Sequence, residues 1–239
     1  MPESFLVLLS GGILLAAGVS EPRQVTLHWL RLCGILALVM AGLSMYFGQR
    51  LWTANAFFIA AILGQLAFSQ VAWRRTQQIC AWLAFLLALR VGVAYLDRPL
   101  LIAYASAVGI AAMTGLALMD MLLGHAYLTA SKMTIAPFLR INSILAGTLI
   151  WRTLIAVGGA MLLQHYRQIY LLWGQYGLFI LTRWLVGLLV PAVFVYMAHD
   201  CIKRRSTQSA TGILYVAGVL VFIGEIVALY LVKATGLPF

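Results

Sequence analysis

The chain has 239 residues, of which 64% are hydrophobic and only 9% are charged, and its mean hydropathy is +0.99. A soluble domain carries about 25% charged residues, so this composition excludes a protein whose whole surface faces water. The formal net charge of +10 comes from basic residues that lie between apolar runs, which is typical of cytoplasmic loops and not of a nucleic-acid-binding face. We therefore expect an all-α integral membrane protein that contacts lipid and binds no nucleic acid.

A transmembrane helix needs about 20 consecutive, mostly apolar residues. The sequence contains eight such runs, at roughly 4–20, 28–48, 51–73, 77–96, 101–127, 138–164, 169–199 and 209–234. Their backbones must be helical because lipid offers no hydrogen-bond partner to a free N–H or C=O group. The seventh run carries Pro191, which removes one helix hydrogen bond and predicts a kink at that point.

Lys and Arg residues accumulate in the first, third, fifth and seventh loops between these spans. Those loops hold Arg23, Arg74, Arg75, Lys132, Arg140, Lys203, Arg204 and Arg205, whereas the even-numbered loops hold Arg50, Arg98 and Arg167. Because basic loops stay in the cytoplasm, both termini are expected outside it. The expected location is a bacterial inner membrane.

Short sequence similarities suggest two related four-helix halves, residues 1–99 and 100–239. LRLCGILA (Leu30–Ala37) resembles LRINSILA (Leu139–Ala146), and RRTQQ before the fourth span resembles RRSTQ before the eighth. Both pairs are four spans apart, as in a parallel repeat. The charge rule alone also makes basic loops recur, so duplication and coincidence both stay open. The second half carries most of the charge inside the spans.

Four charged residues lie inside predicted spans, where each ionisable side chain costs about 2.5–3.5 kcal/mol. A rise of about 1.5 Å per residue puts Arg152 and Arg183 near the bilayer centre, with Arg90 and Glu225 slightly to the outer side. We expect these four residues to form one buried layer. In one interpretation Glu225 pairs with arginines as structural glue or a proton path. In the other, the surplus positive charge meets an anion, a polar head group or an acidic residue of a partner subunit.

A second polar set is predicted at the cytoplasmic ends of the fifth and seventh spans. It comprises Asp120, His125, Tyr127, His199 and Asp200. His and Tyr side chains donate hydrogen bonds to carbonyl oxygens, and carboxylates pass protons to water, so the set suits a quinone or quinol. The alternative is that these residues lie in the head-group region and bind nothing.

The sequence offers little to hold a metal or a cofactor. Cys33, Cys80 and Cys201 are scattered, without the spacing that suits zinc or an iron–sulfur cluster. A bis-histidine haem needs two imidazoles at matching depth, and His125 with His199 is the one pair of that kind, at the edge of the apolar zone. We expect no bound metal, no covalent cofactor and no haem b.

Two motifs in the last third of the chain carry a family resemblance. They are TRWLVGLLVPAVF (Thr182–Phe194), with Arg, Gly and Pro in one span, and GILYVAGVLVFIGEIVALYL (Gly212–Leu231), with a Gly-Glu pair followed by Tyr. In these motifs the chain resembles the NrfD/PsrC/DmsC group of membrane anchor subunits. The resemblance implies an eight-helix subunit with little or no cofactor that exchanges electrons between membrane quinone and a partner iron–sulfur subunit.

The sequence therefore predicts a membrane anchor subunit of a multisubunit respiratory or redox complex, with quinone as substrate and other subunits as partners. We do not expect the chain to be an enzyme on its own. An anion or small-solute transporter built from two four-helix halves is the alternative, with the substrate passing the arginines. A lipid-handling membrane enzyme is a third interpretation.

Overall fold

The computed structural model describes residues 2–21, 24–48, 52–68, 73–129, 134–165 and 169–236. Within these ranges the chain is helical and forms no strand. A π-helical segment, Leu185–Leu189, joins the seventh and eighth helices. The helices are α1 Pro2–Val19, α2 Leu27–Phe47, α3 Trp52–Ala67, α4 Arg74–Leu96, α5 Leu100–Thr129, α6 Ala136–His165, α7 Ile169–Trp184, α8 Val190–Lys203 and α9 Thr207–Thr235.

Seven helical stretches in the described residues are long and apolar enough to cross a membrane. One of them, Trp173–Lys203, contains most of α7, the π-helical segment and α8, because the chain stays helical through all three. The third predicted span, 51–73, corresponds to α3, which has only 16 residues, and residues 51 and 69–72 of that prediction lie outside the described ranges. The predicted all-α membrane protein is confirmed, with one helix shorter than expected.

The first helix, α1, is a core element that packs against α2, α4 and α5. Small residues permit this close approach: a Cβ atom on Gly12 would lie 1.8 Å from the carbonyl oxygen of Ala111, and one on Gly11 would lie 2.6 Å from Cβ of Ala88. Such contacts are typical of membrane helix bundles. Because lipid chains are as apolar as the helices, the hydrophobic effect does not hold the helices together, and close van der Waals packing does. The backbones of α1 and α5 therefore touch directly.

The two predicted halves have the same order of neighbouring helices. In residues 1–99, α1 and α3 each contact α2 and α4, and in residues 100–239, α5 and α8 each contact α6 and α9. Any up-and-down four-helix bundle has this order, so duplication stays a prediction. The packing of α5 against α1 joins the halves through one continuous hydrophobic core.

Side-chain contacts identify the connections that share one end of the bundle. Ser44 donates a 2.8 Å hydrogen bond to the carbonyl oxygen of Glu3, and Arg98 donates to the carbonyl oxygen of Lys233. Both terminal helices therefore meet the α2–α3 and α4–α5 connections at one end, which we call the terminal end. The α1–α2, α5–α6 and α8–α9 connections lie at the opposite end, which we call the loop end.

The long helix of α7 and α8 is irregular just before the proline, and not at it. The π-helical segment Leu185–Leu189 precedes Pro191, which lacks the N–H group that would otherwise bond the carbonyl oxygen of Gly187. The segment also allows a close approach to α9, because a Cβ atom on Gly187 would lie 2.7 Å from Cα of Gly224. The predicted irregularity is therefore a widened turn that packs against α9.

Replacing Gly12 with alanine is expected to destabilise the protein by about 1–3 kcal/mol, because the added Cβ overlaps the Ala111 carbonyl group. Alanine is intrinsically the better helix former by about 1 kcal/mol, so the control is Gly42→Ala, where an added Cβ meets nothing within 4 Å. Thermal unfolding in one detergent should give a lower Tm for G12A and an equal or higher Tm for G42A. Equal midpoints for G12A and the unmodified chain would contradict the direct α1–α5 contact.

Candidate functional site

Three charged side chains meet in the interior between α6, α7 and α9. Arg152 makes a two-armed contact with Glu225, with 2.6 Å between Nη2 and Oε2 and 3.2 Å between Nε and Oε1. Nη1 of Arg183 lies 3.0 Å from Oε1 of the same carboxylate. None of the three side chains has any exposed surface. We call this cluster the ion triad.

Two glycines, one on α5 and one in the π-helical segment that follows α7, make room for the two arginines. A Cβ atom on Gly109 of α5 would lie 2.2 Å from Cδ of Arg152, and one on Gly187 would lie 3.1 Å from Nη1 of Arg183. Each arginine side chain therefore packs directly against the backbone at a glycine, where no side chain intervenes. A larger residue at either glycine would have to displace a buried guanidinium group.

The ion triad contains two cationic side chains and one carboxylate. Within the described part of the chain, Nη1 of Arg152 and Nε and Nη2 of Arg183 have no hydrogen-bond acceptor. Taking an ion out of water costs several kcal/mol, which only close, bidentate pairing offsets. Glu225 is therefore the group that makes both buried arginines tolerable.

Arg90 does not join the ion triad, contrary to the expectation of a four-residue layer. Its side chain is exposed on α4, and it donates a long hydrogen bond, 3.5 Å, to the hydroxyl group of Tyr104. The expectation used depth along the helix, whereas burial also depends on direction around the helix axis. Arg90 points away from the interior, so any group that pairs with its charge lies at the surface of the bundle.

A second polar cluster links α5, α6 and α8 nearer to the loop end. Nδ2 of Asn142 donates to Oδ2 of Asp120 at 2.8 Å, and Oδ1 of Asn142 lies 3.1 Å from Nδ1 of His199. Because the amide oxygen carries no proton, Nδ1 of His199 is the donor. Asp120 and Asn142 are buried, and His199 is partly exposed. We call these three residues the polar chain.

The polar chain and the ion triad form separate layers of the bundle. Asn142 and Arg152 both lie on α6, and at about 1.5 Å per residue their Cα atoms are roughly 15 Å apart along the axis. One layer is therefore deep in the span, and the other is near the loop end. The sequence analysis also expected two polar sets at different depths, one near the bilayer centre and one near the cytoplasmic face.

A groove of about 600 Å³ runs along the outer surface between α6 and α8. Most of its lining is apolar, and its polar lining residues are Ser143, Thr153, Tyr196 and His199. Tyr196 and His199 lie three residues apart on α8, so they share one face of that helix. The groove therefore combines an imidazole and a phenol with apolar walls, which suits an amphiphilic molecule.

The polar chain contains two of the five residues that the sequence predicted for this end of the bundle. Asp120 and His199 are linked, but only through Asn142. His125 is exposed on α5 and does not line the groove. Its position follows from helix geometry, because a residue five positions after Asp120 points about 140° away from it around the axis.

Tyr127 and Asp200 make local contacts outside the polar chain. The Tyr127 hydroxyl group donates to the carbonyl oxygen of Thr134, and its ring stacks on Phe138 with 5.2 Å between centroids. Asp200 is exposed and pairs with Arg204 at 2.9 Å, one helical turn away. Both residues therefore support the loop end and do not line the groove.

Two residues of this region, Asn142 and Tyr196, were not predicted from the sequence. An amide inside the apolar run of α6 is a signal that could have identified Asn142, because a buried amide needs hydrogen-bond partners. Tyr196 could have been identified from its position one turn before His199. Both signals were available from residue type and helical spacing.

The described residues include no group of three or more His, Cys, Asp or Glu side chains that could hold a metal ion. Cys33, Cys80 and Cys201 are free thiols. The polar side chains of the groove are a phenol, hydroxyls and one imidazole, which suit hydrogen bonding to an organic molecule.

The sequence matches no protein-family model, and it has no significant match among curated proteins or among solved structures. The resemblance to the anchor-subunit group therefore stays an expectation that rests on the two motifs quoted above. Geometry and chemistry of the groove, the polar chain and the ion triad must carry the functional interpretation.

Replacing Glu225 with glutamine is expected to destabilise the protein by about 3–5 kcal/mol, because two buried guanidinium groups lose their shared carboxylate. Arg183→Met is the matched comparison. R183M leaves Arg152 and Glu225 as a pair with no net charge, so it should lower the free energy of unfolding less than E225Q does. In thermal unfolding in detergent, the unmodified chain should have the highest Tm, R183M a lower one and E225Q the lowest. A Tm of E225Q equal to or above that of R183M would contradict this account of the ion triad.

Proposed function

We propose that this protein is the membrane subunit of a redox complex and that it binds a quinone-type molecule in the groove between α6 and α8. The observation that carries the proposal is a histidine held by the polar chain in the wall of an outward-facing, mostly apolar groove. A quinone joins a ring with two carbonyl oxygens to an apolar tail. This chemistry matches hydrogen-bonding groups at one end of the groove and apolar walls along it.

His199 is the residue that we assign to the ring of the ligand. Asn142 occupies Nδ1, so Nε2 is the nitrogen available for binding. It can accept a proton from a quinol hydroxyl group, and the protonated ring can donate to a carbonyl oxygen. Tyr196 offers a second hydrogen-bonding group, its hydroxyl, on the same face of α8. Asn142 and Asp120 are positioning residues, because they fix the orientation of the imidazole.

Oxidation of a quinol to a quinone releases two electrons and two protons. His199 is the proposed acceptor of both protons in turn, because its partly exposed ring near the loop end can release the first proton to water before it accepts the second. The electrons require an iron–sulfur or haem group, which we assign to a partner subunit because the chain is almost entirely membrane-spanning. The resemblance to anchor subunits supports the same division of labour.

We also propose that the loop end faces the cytoplasm of a bacterial inner membrane, with both termini on the other side. Positive charge supports this orientation, because basic residues near a span favour the cytoplasmic side. The described basic residues nearer to the loop end are Arg31, Arg74, Arg75, Arg140, Lys203, Arg204 and Arg205, whereas those nearer to the terminal end are Arg90, Arg98 and Lys233. The quinone head would then bind in the cytoplasmic leaflet.

Anion transport past the ion triad is the alternative from a different class of protein. The triad has no exposed surface, so this conformation offers water or an anion no route to it. A lipid-handling enzyme would use the same groove and would differ in the molecule it binds. The choice between these functions therefore depends on the ligand of the groove.

Binding of a short-tailed quinone to the purified full-length chain in nanodiscs tests the proposal, with quenching of tryptophan fluorescence as the readout. His199→Ala is expected to weaken binding about five- to tenfold, the effect of losing one hydrogen bond. His125→Ala is the matched control, because His125 is exposed near the same end of the bundle but does not line the groove. It should leave the affinity unchanged.

Two results would contradict the quinone site. One is unchanged affinity in H199A, and the other is an equal loss in H125A. Asn142→Leu should give an intermediate loss, because the imidazole remains but is no longer held. In delipidated protein held in detergent, displacement of the quinone by phospholipid at equal concentration would favour the lipid-handling alternative.

A further inference from the structure

A second groove, at the terminal end, contains charged groups of both signs. It has a volume of about 640 Å³ and lies between α3, α4 and the start of α5. Its charged residues are Arg90, Asp97 and Arg98, and the rest of its lining is apolar. It belongs to the first half of the chain and is separate from the polar chain and the ion triad.

Arg90 lies in this groove at a depth where an exposed arginine needs an anionic partner. It is six residues from the end of α4, which is about 9 Å along the helix. Its side chain faces outward, and its only hydrogen bond in the described residues is the 3.5 Å contact with Tyr104. A guanidinium group has five N–H donors, so most of its donors stay available to a phosphate.

Asp97 and Arg98 form the rim of the groove nearer to water. Asp97 is exposed, ends α4 with a φ of 53°, and forms no ion pair in the described part of the chain. Arg98 donates to the carbonyl oxygen of Lys233, which anchors it to the end of α9. Arg90 and Asp97 both line the groove, and Asp97 follows the last residue of α4, about 10 Å along the axis from Arg90.

We infer that this groove binds a phospholipid whose head group carries both a phosphate and a primary ammonium group, as phosphatidylethanolamine does. The order of charges carries the inference: the cation Arg90 lies deeper, and the anion Asp97 lies at the rim. In such a lipid the phosphate is next to the glycerol, and the ammonium group lies beyond it. The apolar lining residues, among them Val93 and Leu100, would contact an acyl chain.

Native mass spectrometry of the full-length, delipidated protein tests this site, with phosphatidylethanolamine, phosphatidylcholine and phosphatidylglycerol added singly. The protein should bind phosphatidylethanolamine about fivefold better than phosphatidylcholine, whose trimethylated head cannot donate hydrogen bonds to a carboxylate. Arg90→Gln should weaken binding of all three lipids by about fivefold or more. Arg75→Gln, at an exposed arginine near the opposite end of α4, is the matched control and should have no effect.

Asp97→Asn separates recognition of the ammonium group from recognition of the phosphate. Asparagine tolerates the same left-handed backbone conformation, so the turn is retained. D97N should still bind phospholipid but should lose the preference for phosphatidylethanolamine over phosphatidylcholine. Three results would overturn the inference: wild-type binding by R90Q, an equal loss in R75Q, or full displacement of the lipid by inorganic phosphate.

Discussion

The carboxylate of Glu225 is the group on which the second half of the bundle depends. It contacts guanidinium groups from two other helices at a depth where no water is available to screen them. Because both contacts converge on one side chain, α6, α7 and α9 are held at a common level. Rotation or sliding of any one of these helices would separate a buried charge from its partner.

This constraint also determines the groove at the loop end. Arg152 of the ion triad and Asn142 of the polar chain lie on the same helix, and Arg183 is continuous with α8 through the π-helical segment. The ion triad therefore also fixes the positions of α6 and α8, the two helices that line the groove. The imidazole of His199 is held twice, directly by Asn142 and indirectly by the ion triad that sets the position of its helix.

The spans were predictable because lipid forces every apolar run of sufficient length into a helix. Counting the rise per residue along those helices also predicted that Arg152, Arg183 and Glu225 lie at one depth in the membrane. Direction around each axis was not predictable from a single sequence, since nearly all residues of a membrane helix are apolar on every side. Arg90 and His125 differ from the prediction for this reason: each has the expected depth, but both face outward.

The position of the shared carboxylate in the last helix has a consequence for biosynthesis. Arg152 precedes Glu225 by 73 residues and Arg183 precedes it by 42, so both arginines are synthesised before their acid. Until α9 inserts, the nascent chain holds two cations in hydrocarbon without a counter-charge. Insertion of α9 is therefore the step that supplies the carboxylate of the ion triad. A chain that ended before that step would keep both arginines in the membrane without the carboxylate that pairs with them.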